Sequence, residues 1–258
     1  MGKLQDIAAR LADGHRPPSP YAPLTGALAP VDLAEAYSAQ LEVQRAFSRT
    51  RGPIAGRKIA LASKAMQEFC RIDQPIAGAI FAEEVHHSPA EIALDRFRNL
   101  GLEFELALEL SRDAAPCDGP FTAETARGLV ASARPAFELI EDRGADYAKI
   151  DVLTMVADNA WCGGIVLGPE IPGWQEMDLD ALPVKLTQTG AAEVEANTSA
   201  TRPQDSLAWV LNNAGARGQT VKAGEFVITG SVLTTRFPVR GESFSLEIAG
   251  ALVTVRIT

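Results

Sequence analysis

Two glutamates lie two residues apart inside an otherwise apolar run, LEFELAL at residues 102–108. A third glutamate has the same setting in AFELI at residues 136–140. Because side chains of a strand alternate between its faces, Glu103 and Glu105 project to one side and their apolar neighbours to the other. A half-buried carboxylate without a partner is costly, so it shifts its pKa, pairs with a cation or binds a metal. With Glu138, the pair indicates either a site for a hard divalent ion, Mg²⁺ or Mn²⁺, or a strand with a solvated polar face.

The composition excludes several classes of function. The chain has 258 residues, enough for one large domain or two small ones, and 47% of them are hydrophobic, which supplies a sizeable core. A formal net charge of −9 argues against a nucleic-acid partner. No apolar run approaches the roughly 18 residues of a membrane span, so we expect no membrane partner. The three cysteines are far apart and lack zinc-binding spacing, which predicts reduced thiols in a cytoplasmic protein.

The order of predicted helices and strands indicates an α+β protein. Apolar residues recur at helical spacing up to Phe47, with Asp32 as an N-cap, and the pattern stops at Gly52-Pro53. Further helices are expected over residues 122–132 and 204–214, and strands over residues 54–63, 134–143, 184–189, 225–229, 244–248 and 252–257. We therefore predict a helical N-terminal region, residues 1–52, followed by a β-rich catalytic region, residues 53–258.

Two further segments carry side chains that could bind a ligand or take part in catalysis. On the predicted strand, Lys58 shares a face with Ala60 and Ala62, and these small residues leave room for a ligand. A lysine near a metal can anchor a carboxylate or transfer a proton, whereas the alternative is a surface lysine at a strand edge. In the segment VADNA at residues 156–160, Asp158 and Asn159 are typical of a turn, but Asn159 could also orient a glutamate or a ligand.

Seven segments of the chain stand in a recognisable order: GRKIALASKA (56–65), DQPIAG (73–78), EFELA (103–107), PAFELIEDR (135–143), VADNA (156–160), SLAWV (206–210) and GEFVITG (224–230). Their order resembles that of the 2-keto-4-pentenoate hydratase and 4-oxalocrotonate decarboxylase family, within the fumarylacetoacetate hydrolase superfamily. They run in family order from about residue 30 to the end of the chain, and seven together are specific although each alone is modest.

The resemblance implies a fold and a set of site residues. The fold is a mixed β-sheet roll of the fumarylacetoacetate hydrolase C-terminal type, and the protein is expected to be a homo-oligomer, with association to a partner enzyme of the same pathway as a further option. The implied roles are metal ligation by Glu103, Glu105 and Glu138, catalysis by Lys58 and Glu105, and substrate binding by Lys58, Ser63, Asn159 and Thr229.

The implied activity is that of a metal-dependent lyase acting on 2-oxo or 2-hydroxydienoic acids of aromatic catabolism, with a 2-keto-4-pentenoate hydratase as the leading expectation. A 4-oxalocrotonate decarboxylase is the first alternative, and an acylpyruvate-type C–C hydrolase or a non-catalytic partner subunit is the second. The chain departs from the family pattern at Ile76, because hydratases of the family often carry an acid at this position, directly after the proline of the segment DQPIAG. Another departure concerns Arg236, which either meets a distal substrate carboxylate or is a solvated loop residue.

Overall fold

The computed structural model describes residues 2–15 and 19–258, and its N-terminal part is helical. Helix α1 covers Lys3–Gly14 and helix α2 covers Leu33–Arg51. Asp32 caps α2 as predicted, since its side chain accepts a hydrogen bond of 2.8 Å from the backbone N–H of Glu35. The two helices bury one apolar cluster against strand and helix residues from later in the chain. The division of the chain into a helical region up to residue 52 and a β-rich region from residue 53 stays a prediction.

The rest of the chain forms two mixed sheets. Their strands are β1 Ile54–Ala60, β2 Ile76–Phe81, β3 Val85–His87, β4 Ala90–Ile92, β5 Leu100–Leu110, β6 Val130–Glu141, β7 Cys162–Leu167, β8 Pro183–Gln188, β9 Val194–Asn197, β10 Phe226–Ile228, β11 Ser243–Ile248 and β12 Ala251–Ile257. One sheet has seven strands in the order β2-β1-β10-β5-β6-β7-β3, and the other has five in the order β4-β12-β11-β8-β9. Both sheets are mixed, because β1 runs parallel to β10, β3 to β7 and β4 to β12.

The main core lies between the two sheets and fixes which way β5 faces. Leu102, Phe104 and Leu106 are fully buried in this core, where they join Phe244 and other residues of the five-stranded sheet. Because alternate residues of β5 supply the core, the intervening glutamates face the opposite side of the seven-stranded sheet. The burial of one face of β5 therefore determines where its carboxylates project.

Among the described residues, four further α-helices lie between strands, namely α3 Lys64–Cys70, α4 Ala123–Arg127, α5 Val152–Ala157 and α6 Pro203–Gly215. The predicted helix over residues 122–132 was too long, because the chain from Val130 pairs with β5 instead. The strand predicted to reach residue 63 ends at Ala60, since Leu61 has a φ of 54° and Ser63 caps α3. No helix among the described residues is long and apolar enough to cross a membrane.

Candidate active site

Three glutamates meet on the face of the seven-stranded sheet that points away from the main core. Strands β5 and β6 are antiparallel neighbours, and their register sets Glu103 directly opposite Glu138. Glu105 follows one pleat along β5, on the same face. One carboxylate oxygen from each glutamate lies within 4.8 Å of the others. Strand alternation and cross-strand register together therefore produce the cluster that the sequence pattern indicated.

The hydrogen bonds of the cluster leave carboxylate oxygens free at its centre. Glu105 Oε2 accepts a hydrogen bond of 2.7 Å from the backbone N–H of Gly230, and Glu103 Oε1 accepts one of 2.6 Å from the hydroxyl of Thr235. Glu105 Oε1 and Glu138 Oε2 are buried without a hydrogen-bond partner. Converging carboxylate oxygens without donors fit the ligand set of a hard divalent cation.

Lys58 supplies a cation at the edge of the cluster. Its side chain is 1% exposed, its Nζ contacts the carboxylate of Glu138, and it donates a hydrogen bond of 3.1 Å to the backbone oxygen of Ala160. The sequence left open whether Lys58 was a surface residue, and its burial beside the carboxylates excludes that alternative. Close packing requires Gly78 on the neighbouring strand, because a Cβ there would lie 2.5 Å from the backbone oxygen of Asn159.

Burial and like charge shift the ionisation of these groups. Burial raises the pKa of Glu138 to about 7; the ammonium of Lys58 opposes this shift, and the charge of Glu103 adds to it. Burial also raises the pKa of Glu105 well above its usual value, with Glu138 and Glu103 contributing in the same direction. For Lys58, burial alone favours the neutral amine, but the neighbouring acidic groups outweigh it and raise its pKa. These shifts favour the protonated carboxyls in the metal-free cluster, and a bound cation would favour the ionised ones.

A left-handed turn presents the Ala160 carbonyl to Lys58. Asn159, Ala160 and Trp161 have successive φ values of 56°, 53° and 57°, a conformation that non-glycine residues avoid at a cost of roughly 1–3 kcal/mol each. The side-chain amide of Asn159 holds the turn, because it donates to the backbone oxygen of Ala79 and accepts from its N–H, both at 2.8 Å. It also accepts a hydrogen bond of 3.0 Å from Gln44.

A buried ion pair supports the same turn from its other end. The Asp158 carboxylate lies 2.8 Å from Nε2 of His15 and contacts the guanidinium of Arg143. All three side chains are at most 6% exposed. The sequence showed Asp158 and Arg143 inside matching segments but gave no sign that His15 joins them, since the contact spans 143 positions of the chain.

A cavity of about 780 Å³ opens beside the cluster. Of the predicted site residues, Lys58, Ser63 and Glu103 line it. Asn159 and Thr229 are almost fully buried outside this lining, and the Thr229 hydroxyl donates a hydrogen bond of 2.9 Å to the backbone oxygen of Leu106. Their assignment to substrate binding stays a prediction. Gly230 and Thr235 orient the glutamates; Gly230 ends the matching segment 224–230 but was given no role from the sequence, and Thr235 was not singled out.

The helical N-terminal part and the two mixed sheets make up an α+β fold that solved structures share. The chain superposes on 4-oxalocrotonate decarboxylase from Pseudomonas putida G7, complexed with magnesium and adipate, with a TM-score of 0.89 and 21% sequence identity, over 99% of this chain and 97% of that one. At this identity the likeness establishes the fold, and the predicted α+β roll is confirmed.

Sequence comparison identifies the family. The chain is 30% identical over 233 residues to a 2-keto-4-pentenoate hydratase of Paraburkholderia phymatum, covering 89% of this chain and 87% of that protein. It is 29% identical over 255 residues to a 2-hydroxyhexa-2,4-dienoate hydratase of Comamonas testosteroni, covering 96% of this chain and 94% of the relative. No protein-family model matches the chain. The chain belongs to the 2-keto-4-pentenoate hydratase family, as its motifs predicted.

Proposed function

We propose that this protein is a metal-dependent lyase that adds water to 2-hydroxy-2,4-dienoic acids and releases 4-hydroxy-2-oxo acids. The observation that carries the proposal is the arrangement of three converging carboxylates and a buried lysine beside a cavity large enough for a small acid. The membership of the hydratase family supports the choice of reaction.

Glu103, Glu105 and Glu138 would hold Mg²⁺ or Mn²⁺, and the unpartnered oxygens of Glu105 and Glu138 support this fit. The magnesium in the related decarboxylase structure supports the choice of ion. When bound, such an ion supplies a Lewis acid that stabilises negative charge on the 2-oxygen of the substrate. The Gly230 N–H and the Thr235 hydroxyl keep two of the carboxylates oriented toward the same point.

The chain's own residues then manage protons and position. In the overall reaction, the 2-hydroxyl proton leaves, C5 gains a proton, and water adds its oxygen to C4 and a proton to C3. We assign proton transfer to Lys58, whose ammonium is held at the cluster by Glu138 and the Ala160 carbonyl. Glu105, the most deeply buried carboxylate on β5, is the second residue that we assign to catalysis.

Of the remaining predicted substrate-binding residues, one lines the cavity and two lie behind it. Ser63, an exposed residue, lines the cavity, and its hydroxyl, which accepts from the backbone N–H of Met66, can donate to a substrate oxygen. We assign Asn159 and Thr229 an indirect part in substrate binding, because their side chains hold the backbone of β2 and β5 in place. We also propose that the protein works as a homo-oligomer, which light scattering in solution tests; a stable particle of 27.4 kDa would refute that proposal.

The alternative is decarboxylation of a 2-oxo-3-enedioate, and two observations favour it. The fold matches a decarboxylase over nearly the whole chain, and Ile76, which is fully buried, occupies the position where many hydratases have an acid. A C–C hydrolase is less well supported, because neither His86 nor His87 lines the cavity and His15 is bound to Asp158.

The deciding experiment supplies the purified protein and Mg²⁺ with 2-hydroxypenta-2,4-dienoate and, separately, with 2-oxo-3-hexenedioate. We expect 4-hydroxy-2-oxopentanoate from the first substrate, detected by NMR, and no CO₂ from the second. Release of CO₂ from the second without hydration of the first would establish the decarboxylase instead. Absence of both reactions in the folded, metal-loaded protein would leave the C–C hydrolase and the non-catalytic subunit. Lys58→Ala serves as the inactive control.

A further inference from the structure

A tyrosine lines the same cavity as the residues assigned to the reaction. Tyr147 is 40% exposed, and it forms part of the cavity wall together with Lys58 and Glu103. Its ring meets that of Trp161, another residue of the wall, nearly edge-on, with 5.9 Å between the ring centroids. The contact with Trp161 fixes the ring of Tyr147 in the wall.

The hydroxyl of Tyr147 is bound to a buried carboxylate. It donates a hydrogen bond of 3.0 Å to Oδ2 of Asp142, a residue that follows β6 directly and is fully buried. The side-chain amide of Asn99 donates to both oxygens of this carboxylate, at 2.8 and 3.1 Å, and the N–H of Gly144 donates to Oδ1 at 2.7 Å. All of these donors are neutral, and among the residues that the structure describes no ion pair compensates the charge of Asp142.

This arrangement decides which way the tyrosine hydroxyl acts. Both oxygens of Asp142 accept hydrogen bonds, which is the pattern of an ionised carboxylate, so the proton of Tyr147 is directed toward Asp142. Burial raises the pKa of Tyr147 and the charge of Asp142 adds to the shift, so the phenol keeps this proton. Donation to a carboxylate also makes the phenol oxygen a better acceptor. Tyr147 therefore offers a ligand an acceptor and not a donor.

Other hydroxyls of the lining are bound differently. Ser231 and Thr201 donate to backbone oxygens. Thr235 also donates to a carboxylate, but its partner Glu103 is a proposed metal ligand, and a bound cation would draw charge from that carboxylate. Among the described hydroxyls of the cavity wall, that of Tyr147 is bound to a carboxylate outside the metal cluster.

The product of the proposed reaction has one group that suits this acceptor. Its carboxylate and 2-oxygen, which would bind at the metal, only accept hydrogen bonds, and its 4-hydroxyl is its O–H donor. Before C4 is attacked, the corresponding donor is the water molecule that adds there. A neutral acceptor in the wall thus matches the water of the reaction and the hydroxyl that it becomes.

We propose that Tyr147, oriented by Asp142, is a further catalytic residue that accepts a hydrogen bond from the water adding to C4 and then from the 4-hydroxyl of the product. In this step the water oxygen bonds to C4, one O–H bond of the water breaks, and its proton ends on C3. Tyr147 keeps its own proton and its hydrogen bond to Asp142. The role in catalysis rests on the proposed function, whereas recognition of a hydroxyl at this site does not.

The first test measures binding of two ligands that differ by one hydroxyl. With Mg²⁺ present, the wild-type protein should bind 4-hydroxy-2-oxopentanoate about tenfold more tightly than 2-oxopentanoate by calorimetry, because one further hydrogen bond forms. Tyr147→Phe keeps the ring, so it should bind 2-oxopentanoate as before and lose the preference. Equal affinities in the wild type, or an unchanged preference in the folded variant, would overturn the proposal.

A second variant reverses the hydrogen bond instead of removing it. In Asp142→Asn, the N–H of Gly144 and the shorter bond from Asn99 select the carbonyl oxygen for the Oδ1 position, so the amide NH₂ faces Tyr147. The amide then donates to the phenol oxygen and turns the phenol proton outward. The preference for the hydroxy acid should fall at least about fivefold. A wild-type preference in this variant, with folding shown by circular dichroism, would refute the role of Asp142.

Steady-state kinetics tests the part played in the reaction. Because 2-hydroxypenta-2,4-dienoate has no 4-hydroxyl, Tyr147→Phe should leave KM within about twofold and lower kcat roughly 10–100-fold. Tyr21→Phe is the matched control and should keep both values, since Tyr21 also packs edge-on against Trp161, at 5.2 Å, but does not line the cavity.

The kinetic outcomes separate this proposal from the proposed function. A rise in KM with kcat unchanged in Tyr147→Phe would overturn its role in the addition of water. An equal loss of kcat in Tyr147→Phe and Tyr21→Phe would place the effect in the packing around Trp161 and would also overturn that role. Absence of hydration by the wild type, with a hydroxyl preference that Tyr147→Phe abolishes, would refute the reaction and leave the hydroxyl site standing.

Discussion

Replacing Glu105 by glutamine tests whether Glu105 is a metal ligand or a structural residue, because the two roles predict opposite effects on the stability of the metal-free protein. Glu105 is fully buried, one oxygen accepts from the Gly230 N–H, and the other has no partner. Burial and the neighbouring carboxylates raise its pKa, so its charge destabilises the metal-free fold. Glu105→Gln keeps the shape, keeps an acceptor for Gly230 and removes the charge. Without metal, the melting temperature should therefore stay equal or rise at pH 7.5.

With metal, the same variant should lose almost all of its stabilisation. Mg²⁺ at 100 times the wild-type Kd stabilises a protein by about 2.7 kcal/mol, which for a chain of this size is roughly 5–10 °C in melting temperature. Loss of one of three charged ligands should weaken binding at least about 100-fold. At the same concentration the variant then gains about 0.4 kcal/mol, or roughly 1 °C. Hydratase activity should fall with the metal.

Differential scanning fluorimetry of the chelator-treated protein, with and without Mg²⁺, measures both effects in one experiment. Glu109→Gln is the matched control, because Glu109 lies on the same strand but is partly exposed and bonds to Ser132. It should shift neither value by more than about 1 °C. A fall of several degrees in the metal-free melting temperature of Glu105→Gln, with the Mg²⁺ shift retained, would show that Glu105 is structural and not a ligand.

The remaining predictions concern the lysine, the turn and pH. Lys58→Ala should lower kcat by roughly 10²–10⁴-fold in steady-state kinetics. Lys64→Ala should have only a mild effect on kcat, because the Lys64 ammonium donates to Gln67, three residues further along the chain. A larger loss of kcat in Lys64→Ala than in Lys58→Ala would mean that the wrong lysine is assigned. Asn159→Ala should lower the free energy of unfolding by about 3 kcal/mol, measured in urea, because three buried hydrogen bonds are lost. Because burial raises the pKa of Glu138 from 4.5 to about 7, the metal-free protein gains stability from this group at low pH and loses it as the pH rises through 7. The Mg²⁺-induced rise in melting temperature should therefore grow between pH 5 and pH 8, and a rise that shrinks over this interval would contradict the assignment of the ligands.

Local sequence pattern predicted features that depend on a single element, and it failed where pairing between distant strands decides the structure. Alternation along a single strand placed Glu103 and Glu105 on one face, because backbone geometry alone enforces it. The segment after Thr122 does begin as a helix, which Thr122 caps, but the predicted continuation of this helix to residue 132 was wrong. From Val130 onward the chain pairs with β5 as a strand, and such long-range pairing overrides the local preference for a helix.

Strands β2 and β7 were not predicted, and their burial explains why. Every residue of Ile76–Phe81 is buried, so β2 lacks the alternation that marks a half-exposed strand. In β7, Gly163 and Gly164 weaken the strand signal, yet they fit where Cβ atoms would clash with β6 and with Glu84. Their close packing is visible only once the sheet is assembled.

The sequence by itself determined the family, the α+β class, the common face of two glutamates and the group of segments that builds the site, because these depend on residue identity and on spacing within one element. Tertiary structure alone decided that Glu103 meets Glu138, that Lys58 is buried against them, and that His15 supports the turn at Asp158. Each of these contacts joins elements distant in sequence, and their geometry is set by strand register and core packing. The orientation of Arg236 belongs to the same group. The sequence left open a contact with a distal substrate carboxylate or a solvated loop position, and antiparallel pairing with Leu102 projects its side chain to the face opposite Glu103.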